Sequence, residues 1–229
     1  MLTVTKETII NGYDLNNPSS YPGLFKEPTD RLIDLIEHAR ETFSRPQGYH
    51  LRFRLGDGVS ISKFLDRLKK AYTRPGRSRK IENTFTPLYL WACENDTHHR
   101  DTDADGARYG SGVHFHMAFI LDGRKATGRS LHTLRDKFVA DGTLLDMKIV
   151  PTMDSGDRKT YCQSLNNGAE LHAYVYWLSY ICKVRTKSTF IGSGKRKWGG
   201  SRIPKMGTPF LDCTNAIQNH KIRISYSIN

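Results

Sequence analysis

The stretch that most restricts the fold is "VHFHMAFIL", residues 113–121. Side chains alternate across a strand, so Val113, Phe115, Met117, Phe119 and Leu121 share one face, and His114, His116, Ala118 and Ile120 the other. The first face is unbroken hydrocarbon and belongs in a core. The second carries two imidazoles on neighbouring pleats at one end of the strand. They are either two polar strand residues or half of a divalent-metal site.

The neighbouring segments say what kind of sheet forms around this strand. Pro28-Thr29-Asp30 opens "DRLIDLIEHARETF", a helix with Leu32, Ile33, Leu35, Ile36 and Ala39 on one face, and Pro46-Gln47-Gly48 breaks it. "YHLRFRLG" (49–56) alternates as a strand, with Arg52 and Arg54 opposite Leu51, Phe53 and Leu55. Ser60 caps "ISKFLDRLKKAY", which turns Ile61, Phe64, Leu65 and Leu68 inward. "FTPLYLWACE" (85–94) is a strand whose pairing starts after Pro87. A polar connection over 95–112 leads to the 113–121 strand. Gly123 turns the chain into a helix in "SLHTLRDKFVA" and a strand in "LLDMKIVP". Residues 168–187, "GAELHAYVYWLSYICKVRTK", have the period of one helix, and "KIRISYSI" near the end alternates. The order strand, helix, strand, strand, helix, strand, helix predicts an α+β fold, a central antiparallel sheet with packed helices of the ferredoxin or RNA-recognition kind. Residues 1–45 are expected to form an irregular arm and a helix, 46–205 one domain, and 206–229 an extension on or beside it.

Composition narrows the partners. Thirty-five Lys and Arg stand against 23 Asp and Glu, a net charge of +12, which favours polyanions. From Leu171 to Leu211 there is no acidic residue, while Lys183, Arg185, Lys187, Lys195, Arg196, Lys197, Arg202 and Lys205 all fall there. A second basic stretch runs from Lys63 to Lys80, opposed only by Asp66. Basic runs are often plain solvated surface. Here Tyr174, Tyr176, Trp177, Tyr180 and Trp198 are interleaved with one of them, a composition suited to single-stranded nucleic acid. No apolar run approaches the ~18 residues of a membrane span. The start lacks the basic-then-apolar pattern of a secretory signal, so a cytoplasmic location is expected. Cys93, Cys162, Cys182 and Cys213 form no CxxC pair and read as reduced thiols.

Three features carry chemistry. Glu94 lies on the strand face shared with Leu88, Leu90 and Ala92. Antiparallel pairing of 85–94 with 113–121 brings it beside His114 and His116. Two imidazoles and a carboxylate leave positions open for water and a phosphate oxygen, as in a catalytic metal site. Further on, Tyr176, Tyr180, Lys183 and Lys187 are spaced 4, 3 and 4 apart and share a helical face. A phenol with an ammonium three residues later suits attack on a phosphodiester, and equally suits an amphipathic helix packing its tyrosines. Leu171, Val175, Leu178, Ile181 and Cys182 supply an apolar face without those tyrosines. Two other motifs are weaker. "DTDADG" (101–106) opens like a calcium loop but has Gly112 at its twelfth position, and His98-His99 lack further ligands at zinc spacing.

HFH (114–116) followed by YICK (180–183) resembles the HUH superfamily of single-strand DNA endonucleases. That superfamily includes rolling-circle initiators, relaxases and their relatives. "LWACE", "VHFHMAFILDG", "YWLSYICKVRTK" and "KRKWGGSRIP" are similar to the replication proteins of filamentous phages and prophages, over roughly residues 45 to 205. The resemblance implies that His114, His116 and Glu94 bind Mg²⁺ or Mn²⁺. Tyr180 would be the nucleophile, forming a 5′-phosphotyrosyl link and freeing a 3′-OH, with Lys183 at the phosphate. Tyr176 would be a second nucleophile or a stacking residue. Arg52, Arg54, Arg185, Lys187, Lys195, Arg196, Lys197 and Arg202 would contact origin DNA. Gly194-Lys195-Arg196 departs from a phosphate-binding loop, so unwinding and synthesis are expected from a separate helicase and polymerase of phage or bacterial host. A relaxase or transposase of the same superfamily, and a non-catalytic nucleic-acid binder, are the competing expectations.

Overall fold

The computed structural model describes residues 3–74, 84–95, 113–126, 128–153, 159–183 and 197–203. Its elements in chain order begin with β1 (Val4–Thr5), β2 (Ile9–Ile10), β3 (Tyr13–Asp14), β4 (Leu24–Phe25) and α1 (Lys26–Thr42). Then come β5 (Pro46–Leu55), α2 (Ile61–Thr73), β6 (Leu88–Asn95), β7 (Val113–Asp122), α3 (Gly128–Ala140) and β8 (Leu144–Val150). Last are β9 (Thr152–Met153), β10 (Lys159–Thr160), β11 (Gln163–Ser164), α4 (Gly168–Ser179) and β12 (Trp198–Gly200).

The fold is mixed α+β, built on a six-stranded antiparallel sheet. The strand over "VHFHMAFIL" is β7, and it sits between β5 and β6. β12 adds to the free edge of β6, while β8 and β11 share the other edge of β5. The run β5-α2-β6-β7-α3-β8 thus has the split βαβ connectivity, with spatial order β8-β5-β7-β6. Pairing in β6 starts at Leu88, directly after Pro87, whose missing N–H cannot enter a ladder.

Both faces of the sheet are covered. Tyr89, Trp91, Phe115, Met117, Phe119 and Leu121 pack under α2 and α3 through Phe64, Leu68, Tyr72, Leu131 and Phe138. On the histidine face, Leu88, Leu90, Ala92, Ala118 and Ile120 meet α1 and α4 through Leu32, Ile36, Val175 and Leu178. The aliphatic half of that face is therefore core too. The histidines lie at one end of a face that is otherwise sealed.

Local chemistry sets the helix ends. Ser60 Oγ accepts from the Lys63 N–H (3.2 Å) to cap α2. Asn167 Oδ1 accepts from Ala169 N–H (3.1 Å) at the start of α4. α1 starts at Lys26, earlier than the expected Asp30. Pro28 falls in its first turn, where backbone donors have no helical partner to lose. The expected helix over 168–187 ends at Ser179. Tyr180–Cys182 form a 3₁₀ turn, Lys183 N–H donates to Tyr180 C=O (3.2 Å), and Lys183 is extended (φ −61°, ψ 143°) where it bridges to Leu24. That β-type contact with the N-terminal arm draws the backbone out of the helix.

The arm is more regular than expected. β1 pairs with β4, and β2 with β3 around Asn11-Gly12, whose φ values of 51° and 79° are those of a tight type I′ hairpin. Ile10, Tyr13, Leu15 and Leu24 join the core beneath α1 and α4.

Candidate metal centre

Register places Glu94 opposite His114 and Ala92 opposite His116 on adjacent strands β6 and β7. The three side chains are buried, Glu94 and His114 at 2% exposure and His116 at 8%. Glu94 Oε2 lies 3.9 Å from His114 Nε2 and 3.8 Å from His116 Nε2. Neither separation is a hydrogen bond. One ligand atom from each residue lies within 4.8 Å of the others, so the three face a common point. Donors bound to one ion at about 2.1 Å stand roughly 3–3.5 Å apart. Small side-chain rotations would therefore close this set on a cation, and its imidazole–carboxylate chemistry fits a divalent ion with open positions.

Tyr180 and Lys183 complete the cluster. The Tyr180 ring lies 6.2 Å from the His116 ring at 75°. Lys183 Nζ sits 3.0 Å from the centre of the Tyr180 ring and 4.0 Å from Glu94 Oε2. At 5% exposure its ammonium needs such company; a carboxylate and an aromatic face both supply it. Tyr176 stands one turn earlier on α4, is 39% exposed, and turns its ring edge-on to Trp177 (5.8 Å). The tyrosine whose ring meets His116 is Tyr180. Because α4 stops at Ser179, Tyr176, Tyr180 and Lys183 do not form one helical stripe. The 3₁₀ turn brings Tyr180 and Lys183 to the sheet instead.

Sequence reasoning missed one residue here, His50. β5 pairs with β7 so that His50 faces Ala118 and Arg52 faces His116. His50 Nε2 and His116 Nδ1 are 2.9 Å apart. Burial pushes His50 down to about 4, helped by Arg52 and Lys183 and opposed by Glu94, so it is neutral at physiological pH. When His116 Nε2 binds a cation at the common point, the proton stays on Nδ1, which then donates to His50 Nε2. The alternation that set Arg52 and Arg54 on one face of "YHLRFRLG" puts His50 there as well. What the sequence lacked was the identity of the strand opposite.

The proposed DNA-contact residues separate. Arg52 lies on the histidine face. Arg54 is held by Asp146, Nε to Oδ2 at 2.7 Å. Lys197 and Arg202 flank β12 and line the opposite side of the sheet. Arg185, Lys187, Lys195 and Arg196 lie outside the described residues, as do His98, His99, "DTDADG", Cys213 and "KIRISYSI". Comparison of the chain with family models, curated proteins and solved structures gives no match, so the chemistry is argued from the site itself.

Proposed function

We propose that this protein is a metal-dependent, site-specific nickase and strand transferase of single-stranded DNA, an HUH-type initiator of rolling-circle replication. The observation that carries the reading is the convergence of Tyr180 and Lys183 on the Glu94–His114–His116 group, from segments far apart in sequence. The split βαβ sheet and the strong positive charge support it. So does the order of the HFH and YICK motifs.

Glu94, His114 and His116 would hold Mg²⁺ or Mn²⁺. Bound there, the ion supplies Lewis-acid polarisation of the scissile phosphate oxygens. The Tyr180 oxygen attacks phosphorus; the new O–P bond forms as the P–O3′ bond breaks. The phenol proton goes to solvent and the departing 3′ oxygen takes one up. The product is a 5′-phosphotyrosyl enzyme and a free 3′-OH, the primer for a separate polymerase. Lys183, over the Tyr180 ring, lies where it can offset charge developing on the phenolate and phosphate. Burial of the cluster strengthens these electrostatic effects.

The test is covalent capture. Incubated with origin-like single strand and Mn²⁺, wild type and Tyr176→Phe should give a shifted band on a denaturing gel, and Tyr180→Phe none. No tyrosine-dependent adduct from any variant would return the protein to the class of non-catalytic binders.

A further inference from the structure

Across the sheet from the metal centre lies a cavity of about 810 Å³, between α2 and the β6–β12 edge. Its relation to the centre follows from strand alternation. Cys93 lines the cavity while its neighbour Glu94 faces the histidines. Val113 and Phe115 line it while His114 and His116 point the other way. The same two strand ends thus present ligands above and an apolar wall below.

Two properties of the lining define an occupant. The floor is aromatic, with Tyr89, Trp91 and Phe115, the last two packed edge to face at 5.8 Å; most of each ring is covered by α2 and α3, which leaves these residues 4%, 5% and 9% exposed. The rim is cationic, with Lys69, Lys197 and Arg202 against Asp66, the one acidic residue of the described lining. Lys69 holds its ammonium 5.5 Å from the centre of the Tyr89 ring. Gly199 belongs to this design, since a Cβ there would come within 2.9 Å of the Trp91 ring; without one, β12 lies flat against the indole. An apolar peptide would leave the rim charges unmatched. A phosphate or other small anion would leave the aromatic floor unused. An unpaired nucleobase with its flanking phosphates uses both.

We propose that this cavity is a second nucleic-acid site, which holds a base and adjacent phosphates of the same single strand that the metal centre engages. The identity of that strand rests on the nickase reading. Both sites lie where β6 finishes and β7 begins, and Val113 at that end is 47% exposed. A strand crossing this end of the sheet reaches from one site to the other, so the cavity would grip DNA away from the cleaved bond.

The test uses the full chain and a fluorescein-labelled single-stranded oligonucleotide, with affinity read by anisotropy over a salt series. Lys69→Glu/Arg202→Glu should weaken binding at least about tenfold. The milder Lys69→Gln/Arg202→Gln pair should flatten the log–log salt slope by about 1.4, the value for two phosphate contacts. Trp91→Phe should lose part of the tryptophan quenching caused by the oligonucleotide. Unchanged affinity and slope in both pairs, or unchanged quenching, would overturn the proposal, including the case in which another part of this chain fills the cavity. If Mn²⁺ binding and Tyr180 adducts persist while these effects are missing, the cavity proposal alone fails. If wild type neither binds single strand nor forms an adduct, the nickase reading fails with it.

Discussion

His50 lies within hydrogen-bond distance of His116 without belonging to the motif that carries it. An imidazole that binds metal through Nε2 must keep its proton on Nδ1, and a partner at that nitrogen fixes both tautomer and ring angle. His50 Nε2, 2.9 Å away, is placed to be that partner. His50→Phe keeps an aromatic ring, a somewhat larger one, and removes the acceptor, so Mn²⁺ affinity should fall by about 10- to 100-fold. His50→Gln retains an acceptor and should recover part of the loss. Isothermal titration with metal alone checks both; equal affinities across the series would leave His50 a packing residue only. At this scale the sequence was legible where alternation and pairing sufficed. Glu94, His114 and His116 could be brought together on paper because β6 and β7 are consecutive strands. His50 could not, since its neighbour in the sheet, β7, comes three elements later in the chain.

Elements divide in the same way. β6, β7, α2 and α3 follow from local period, caps and the Pro87 stop, all carried by residues within each segment. The end of α4 does not. A 3₁₀ turn and an α turn differ little in period over three residues, and "YICK" has no Gly or Pro to mark the change. The break comes from the Leu24 backbone, a distant partner that no window around Tyr180 contains. The N-terminal hairpin is the opposite case. Asn11-Gly12 is a strong turn pair, yet its strands are two residues each, too short to show alternation. Contact between elements also explains Gly48 in β5. A Cβ there would fall 2.6 Å from the Tyr174 ring, which is fully buried on α4 and donates its hydroxyl to the Tyr49 carbonyl at 3.1 Å. Gly48→Ala should therefore push α4 off the sheet and cost about 1–3 kcal/mol, read as a lower urea midpoint. A midpoint equal to wild type would mean that α4 moves aside freely.

For the whole molecule, the two covered faces of the sheet leave the candidate metal centre, Glu94–His114–His116, at one end, joined to three parts of the chain. Glu94 comes from β6, the histidines from β7, and Lys183 from the segment that follows α4 and pairs with β4. An ion bound by the first two strands acts on the native state and has no comparably arranged site in the unfolded chain. Binding must then raise global stability by mass action. At a free concentration one hundred times the dissociation constant the gain is about 2.7 kcal/mol. For a chain of this size each kcal/mol is worth about 2–4 °C, so Mn²⁺ should raise Tm by roughly 5–10 °C. His114→Ala removes a ligand and should abolish the rise, while Tyr180→Phe, which leaves the ligands intact, should keep it. Scanning calorimetry with and without Mn²⁺ separates holding the metal from using it. A rise that survives His114→Ala would place the stabilising ion elsewhere on the protein. A rise lost in Tyr180→Phe would mean that the tyrosine helps to build the ion's site.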